Sequence, residues 1–294
     1  MHYNVGSGIC YEIGHQLLLH GCNGLVICGR RENVLMEAAG RLNNVGGGDG
    51  TNGNRCRYKV CDVRDPSQCE LAVQFCMDTF GQMDILINGA AGNFLAEASA
   101  LSPNGFKTVL EIDTMGTFNM CHASFPHLKK ISSSGEGGAV IINISATLQY
   151  GATWFQIHAS AAKSAVDSLT RSLALEWGLH NIRVNGIAPG PIANTPGTTK
   201  LAPPLQGSNE RKNSNLKKLI SQIPLGRMGE SFDIAMAAVF LCSSAGSYIS
   251  GDVLVVDGGQ WLFKPPILPR EMVSDFSRKM EDRTSRKQPL SSKL

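Results

Sequence analysis

The chain has 294 residues, 43% of them hydrophobic, and its 27 Lys and Arg against 24 Asp and Glu leave a formal net charge of +3. That length suits one large α/β domain and is too short for two of typical enzyme size, while the charge is far from the dense basic stripe of a nucleic-acid binder. Nine cysteines, an odd number without a CxxC pair, fit neither a disulfide framework nor a zinc site, and no apolar run reaches transmembrane length.

In chain order, residues 1–5 are too short for a full strand, yet Gly6, Ser7, Gly8 and Ile9 follow at once and open a helical pattern through Ile13, Leu17 and Leu18. A glycine turn of this kind brings backbone amides and a helix N-terminus up to a phosphate, and a preceding strand aims it. The expectation is a sheet whose first strand is missing. Residues 25–28 read as the next strand, ending in Gly29, Arg30 and Arg31 where NAD-specific folds carry an acidic residue. Guanidinium groups at that place suit the 2′-phosphate of NADP. Residues 42–54 read as a loop rich in glycine and asparagine, and 58–61 as a strand ending in Asp62 and Val63. After a helix through Leu71, Val73 and Phe80, residues 83–88 read as a strand that ends at Asn88. Gly89, Ala90, Ala91, Gly92, Asn93 and Phe94 follow, and the small residues among them let a backbone approach a ligand. The next helix carries Asp113 inside an apolar face, which is costly unless the carboxyl is partnered or protonated.

Residues 139–145 and 182–190 read as two further strands, with a helix over 157–178 between them. Its apolar stripe runs through Ala162, Val166, Leu169 and Leu173. Lys163 and Asp167 lie off that stripe, one turn apart; as a solvated surface pair they would contribute only about 0.3 kcal/mol. Strand, helix, strand is the parallel crossover unit. The fold expected is therefore α/β: a Rossmann-like, doubly wound parallel sheet with helices on both faces. Residues 195–227 read as a long loop, and 252–256 as the last strand. The domain expected is 1–264, followed by a tail, 265–294, that lacks core periodicity. It ends in Ser292, Lys293 and Leu294, the form of address read by the peroxisomal import receptor.

Several strings in order carry a resemblance: NISA, a lysine eighteen residues beyond Ser145, EWG, RVNGIAPGPI and VVDGG. Together they resemble the short-chain dehydrogenase/reductase family, and NGAAGNFL, IDTMGTFN, NISATL and the final SKL are similar to its peroxisomal 2,4-dienoyl-CoA reductases. The resemblance implies NADP(H) at Gly6, Ser7, Gly8, Ile9, Arg30, Arg31, Asp62, Val63, Asn88, Gly89, Ala90, Lys163, Pro189, Gly190 and Ile192, with Asp62 at the adenine ring. It also implies Asn93 and Phe94 on the acyl substrate, Phe94 as a wall for the chain, and a homo-oligomer in the peroxisome. This chain departs from the wider family at four positions. Cys10 replaces a glycine, Asp113 an asparagine, Ala159 the proton-donating tyrosine and Ala146 the serine. Without both hydroxyls, alcohol or ketone chemistry loses its proton donor and its polarising group. The reaction implied is reduction of 2,4-dienoyl-CoA to trans-3-enoyl-CoA by NADPH, in the β-oxidation of unsaturated fatty acids. In it Lys163 holds the nicotinamide ribose and keeps Asp167 ionised, Asp167 orients a water as proton source, and Asp113 is the second acid. Two other readings stand beside it: a ketone or alcohol oxidoreductase with Tyr150 as a relocated hydroxyl, and an inactive dimer partner lacking its first strand.

Overall fold

Short β-branched runs alternate with helical patterns along the chain, and such alternation folds as parallel strands joined by helical crossovers. The computed structural model describes residues 2–3, 8–45, 55–132, 138–195, 197–198 and 209–285. Among them, seven strands form one parallel sheet: β1 (His2–Tyr3), β2 (Leu25–Gly29), β3 (Cys56–Val60), β4 (Ile85–Asn88), β5 (Ala139–Ile144), β6 (Ile182–Pro189) and β7 (Val253–Val256). Their order is β3-β2-β1-β4-β5-β6-β7. The expectation of a missing first strand is corrected by the central slot. His2 lies opposite Ile27 on one side and Ile87 on the other, and Tyr3 lies opposite Cys28. Two residues suffice for ladder contacts on both edges, whereas a periodic signal in sequence needs four or more.

The helices are α1 (Ile9–Leu19), α2 (Glu32–Asn43), α3 (Pro66–Phe80), α4 (Pro103–Leu110), α5 (Gly116–Ser132), α6 (Ile157–Trp177), α7 (Asn209–Ile220), α8 (Ser231–Cys242) and α9 (Arg270–Ser285). Local chemistry sets their ends. Asp65 accepts from the Ser67 amide and Pro66 opens α3, while Gly81 closes it in the left-handed region at φ 73°. Alternation along the strands sends side chains to opposite faces. Val26, Cys28, Leu86, Ile141 and Val184 pack on one side with Val73, Met120 and Leu128. On the other side Ile87, Val140, Ile142 and Ile187 meet Ile13 and Leu17 of α1 and Ile234 and Leu241 of α8. Each fully buried aliphatic side chain here contributes about 1.5–3 kcal/mol. Burial also pushes the thiols of Cys10 and Cys121 up to about 12, so they serve as packing groups.

The chain divides into two compact units, Met1–Trp261 and Leu262–Leu294. Two segments expected to be irregular hold helices: α7 lies within 195–227, and α9 within the tail. Met272, Val273, Phe276 and Met280 of α9 are exposed. Gly6, Ser7, residues 46–54 of the expected glycine-rich loop and the terminal Ser292, Lys293 and Leu294 lie outside the described residues. Among the described residues, no helix is long and apolar enough to cross a membrane.

Candidate active site

The strand order reverses between β1 and β4, and in sheets of this kind ligands bind beyond the carboxyl ends of the strands at that switch point. Asn88, Ser145 and Gly190 follow or close the strand ends there, and the first two turns of α6 pack beside them. Lys163 and Asp167 are only 6% and 4% exposed, which rules out a solvated surface pair and corrects their expected place off the buried stripe. Both belong to the buried face of α6, together with Ala159, Ala162, Val166, Thr170 and Leu173. They do not meet each other. Lys163 Nζ donates to the Ile144 carbonyl oxygen at 2.9 Å and lies 3.2 Å from Asp113 Oδ2. Asp167 instead accepts from Ser145 Oγ and from Gln149 Nε2, each at 2.5 Å.

Asp113 stands in a π-helical turn, Glu111–Met115, inserted between α4 and α5. Such turns re-aim a side chain within a helix. Its carboxyl is buried, and the Gly92 amide donates to Oδ1 at 2.6 Å. Burial pushes Asp113 above the usual carboxylate range, while the Lys163 ammonium and the Gly92 amide oppose that shift. The expected acid in an apolar helix face is thus partnered, and the lysine that was expected to serve Asp167 serves Asp113.

The positions assigned to the dinucleotide fall into two groups. Gly8, at φ 72°, precedes α1 without a side-chain cap, leaving the first-turn amides of Ile9 and its successors to other acceptors. Arg30 and Arg31 are exposed just beyond β2, and Gly89 is half-buried beyond β4. Asp62 is gripped by Arg64, whose Nη2 lies 2.5 Å from Oδ2, and this bond holds its carboxyl below the usual range. The second group is buried: Val63, Asn88, Ala90, Pro189 and Ile192. Of these, Val63, Ala90, Pro189 and Ile192 present only backbone to a ligand, because their side chains belong to the interior. Gly190 is a packing glycine, since a Cβ there would lie 2.5 Å from that of Asp257. Asn88 Nδ2 donates to Asn143 Oδ1 at 2.9 Å, and Asn143 Nδ2 to Thr170 Oγ1 at 2.9 Å, a polar thread from β4 through β5 to α6. Buried Asn88 Oδ1 and Asn93 Oδ1 have no partner in the protein. Unmet acceptors at the end of β4 and in the segment after it, with exposed Arg30 and Arg31 beyond β2, fit a polar dinucleotide.

A family model described as Enoyl-(Acyl carrier protein) reductase matches residues 5–260. The chain belongs to the short-chain dehydrogenase/reductase family. It is 51% identical over 287 residues to the peroxisomal 2,4-dienoyl-CoA reductase (3E-enoyl-CoA-producing) of Arabidopsis thaliana, covering 96% of this chain and 90% of that protein. A protein of the same description from Rattus norvegicus is 45% identical over 260 residues, covering 88% and 82%. Among solved structures, a short chain dehydrogenase from Bacillus anthracis superposes with a TM-score of 0.76 at 35% identity, covering 90% of this chain and 96% of that one.

Within this short-chain dehydrogenase/reductase, three side chains at the site are not among those read from sequence. Ser145 closes the strand segment 139–145 and is one residue before the Ala146 that stands at the family's serine position; its hydroxyl is spent on Asp167. Gln149 lies in an irregular loop, where no periodicity marks it. His158, on the first turn of α6, is fully buried and stacks on Phe94 with ring centroids 4.3 Å apart. The Phe94 ring itself is 40% exposed.

Proposed function

We propose that the protein is a 2,4-dienoyl-CoA reductase that uses NADPH and yields trans-3-enoyl-CoA in the peroxisomal β-oxidation of unsaturated fatty acids. The observation that carries this reading is the buried Lys163, held between Asp113 and the Ile144 carbonyl with no hydroxyl at 146 or 159. NADPH, when bound, supplies a hydride to the far carbon of the conjugated diene. Electron density then moves toward the thioester oxygen, and a proton must reach the carbon beside the thioester. Lys163 brings positive charge to that region and donates toward the ribose. Asp167, fixed from both oxygens by Ser145 and Gln149, is oriented to hold the water that delivers the proton. Asp113 keeps the lysine in place and is the second acid. In this reading, backbone amides and side chains around Asn93 stabilise the enolate oxygen.

The ketone reading places the acid role on Tyr150. Burial pushes that phenol up to about 12, the nearby Asp167 adds to the shift, and the ring packs edge-on against Trp261. A tyrosine that gives up its proton in ketone reduction needs the opposite bias. The terminal SKL supports peroxisomal import, and assembly into a homo-oligomer belongs to the same reading. The test is Asp167→Asn, which keeps shape and removes charge. Turnover of a 2,4-dienoyl-CoA should fall by about a hundredfold or more, with NADPH affinity nearly intact. Undiminished turnover would move the acid role to Asp113. Reduction of simple ketones by the unmodified protein, with none of the dienoyl thioester, would favour the ketone reading. Failure to bind NADPH in a titration would favour the inactive partner.

A further inference from the structure

Phe94 is held from two sides by residues that the proposed chemistry does not use. His158 lies against one side of its ring, the planes inclined at 29°. On another side, a Cβ added to Gly105 in the first turn of α4 would come within 3.3 Å of Phe94 Cζ. The Gly105 amide donates to Ser102 Oγ at 3.0 Å, which fixes that turn as the capped start of α4. The loop carrying Phe94 is tied at its far end as well. The Ala96 amide donates to the Phe155 carbonyl at 2.9 Å, and Phe155 takes a left-handed φ of 62° just before α6. Strain of that kind persists only where surrounding contacts impose it.

The imidazole has a second peculiarity. It is wholly buried, and neither ring nitrogen makes a hydrogen bond of good geometry. Burial also pulls its pKa below the ordinary imidazole value, with the Phe94 backbone and the Asp113 charge opposing. A polar ring that loses water without a well-formed hydrogen bond in return is held mainly by what its face touches. Its face touches Phe94.

We infer that His158 and Gly105 are positioning residues that clamp Phe94 and thereby set the depth of the acyl-binding wall, and with it the preference among acyl chain lengths. The inference rests on the dienoyl-CoA reading given above. His158 acts as a plate under the ring, and Gly105 leaves the space into which the ring edge fits. Neither touches the reacting carbons, so both should act on substrate binding and leave the chemical step alone.

The experiment compares 2,4-hexadienoyl-CoA with 2,4-decadienoyl-CoA at saturating NADPH, for the unmodified protein, His158→Ala, His158→Phe, Gly105→Ala, Phe94→Ala and the double variant of His158→Ala with Phe94→Ala. His158→Ala should raise KM for the longer substrate roughly five- to tenfold, the scale of a lost aromatic contact, with kcat and the NADPH Kd nearly constant. His158→Phe, which keeps a flat plate, should return KM to within about twofold of the unmodified value. Gly105→Ala adds a favoured helix residue whose Cβ would press on the Ser102 hydroxyl at 3.2 Å as well as on Phe94 Cζ at 3.3 Å; with the variant's Tm checked for loss of the cap, the displaced ring should shift the ratio of kcat/KM between the two substrates. In the double variant, loss of His158 should add nothing to loss of Phe94. Additive effects in the double variant, an unchanged KM in His158→Ala, or an unchanged substrate ratio in Gly105→Ala would overturn the clamp alone. If His158→Ala does not fold, His158→Phe and Gly105→Ala decide the matter. An unmodified protein that turns over neither substrate would overturn the functional reading and the clamp with it.

Discussion

Replacing Lys163 by methionine keeps most of the aliphatic stem and removes the ammonium, which strands a carboxylate. Asp113 is 1% exposed, and its remaining donor is the Gly92 amide at 2.6 Å. Breaking a buried ion pair from one side costs about 3–5 kcal/mol, because the surviving charge is left desolvated. At about 2–4 °C per kcal/mol for a chain of comparable size, Tm near neutral pH should fall by on the order of 10 °C. The pH dependence has a definite sign. Burial raises the folded-state pKa of Asp113 above its unfolded value, so the native state binds the proton more tightly. The penalty is therefore small below the unfolded value and grows as pH rises through the folded value. Without Lys163 to oppose the shift, that window moves higher. Thermal unfolding followed by circular dichroism between about pH 5 and 8 should show the deficit of Lys163→Met shrinking toward the acid end. Adding Asp113→Asn, which removes the stranded charge, should recover much of the loss. A single variant within about 2 °C of the unmodified protein at neutral pH, or a double variant no more stable than the single, would refute the assignment of the lysine to Asp113.

Replacing Arg30 and Arg31 together by alanine should weaken NADPH binding by roughly 1–3 kcal/mol and NADH binding far less, as read by fluorescence titration; equal losses would remove the 2′-phosphate contact from the proposal. Deleting Ser292 to Leu294 should leave the purified protein's activity unchanged and move a fluorescent fusion from peroxisomes to cytosol. Continued import in cells without an intact partner chain would show that another segment carries the address.

The strands were legible because a buried parallel strand is a short β-branched run, and 139–145 and 182–190 differ from β5 and β6 by one residue each. Lys163, Asp167 and Asp113 were legible as residues but not as partners. Helical spacing puts Lys163 beside Asp167, yet the ammonium turns to a carboxylate fifty positions earlier in the chain. That choice depends on a π-turn, and one extra residue in a helix leaves no periodic trace. Ser145 and Gln149 were not legible as partners of Asp167, because one closes a strand and the other lies in an irregular loop, and neither position carries a periodic signal. The buried His158 has no sequence signature at all, because the ring stacked on it belongs to a loop sixty-four positions earlier. The α9 segment has four apolar residues at helical spacing among eight charges, a pattern that composition alone assigns to a tail.

The thread of amides through the sheet reaches beyond the site. Asn88 stands opposite Asn143 in the ladder between β4 and β5. If β4 slid along β5 by two residues, every apolar side chain would stay on its own face, so hydrophobicity does not forbid the error. The slide would part the two amides by about 7 Å and leave buried donors and acceptors unmet, at roughly 1–3 kcal/mol for each. The pair works as an index mark that accepts one alignment of the strands and rejects its near neighbours. Because Asn143 passes the thread on to Thr170, three residues beyond Asp167, the same mark fixes the rotation of α6 about its axis. The stretch of α6 that carries Asp167 is thus placed in part by two asparagines that never touch it.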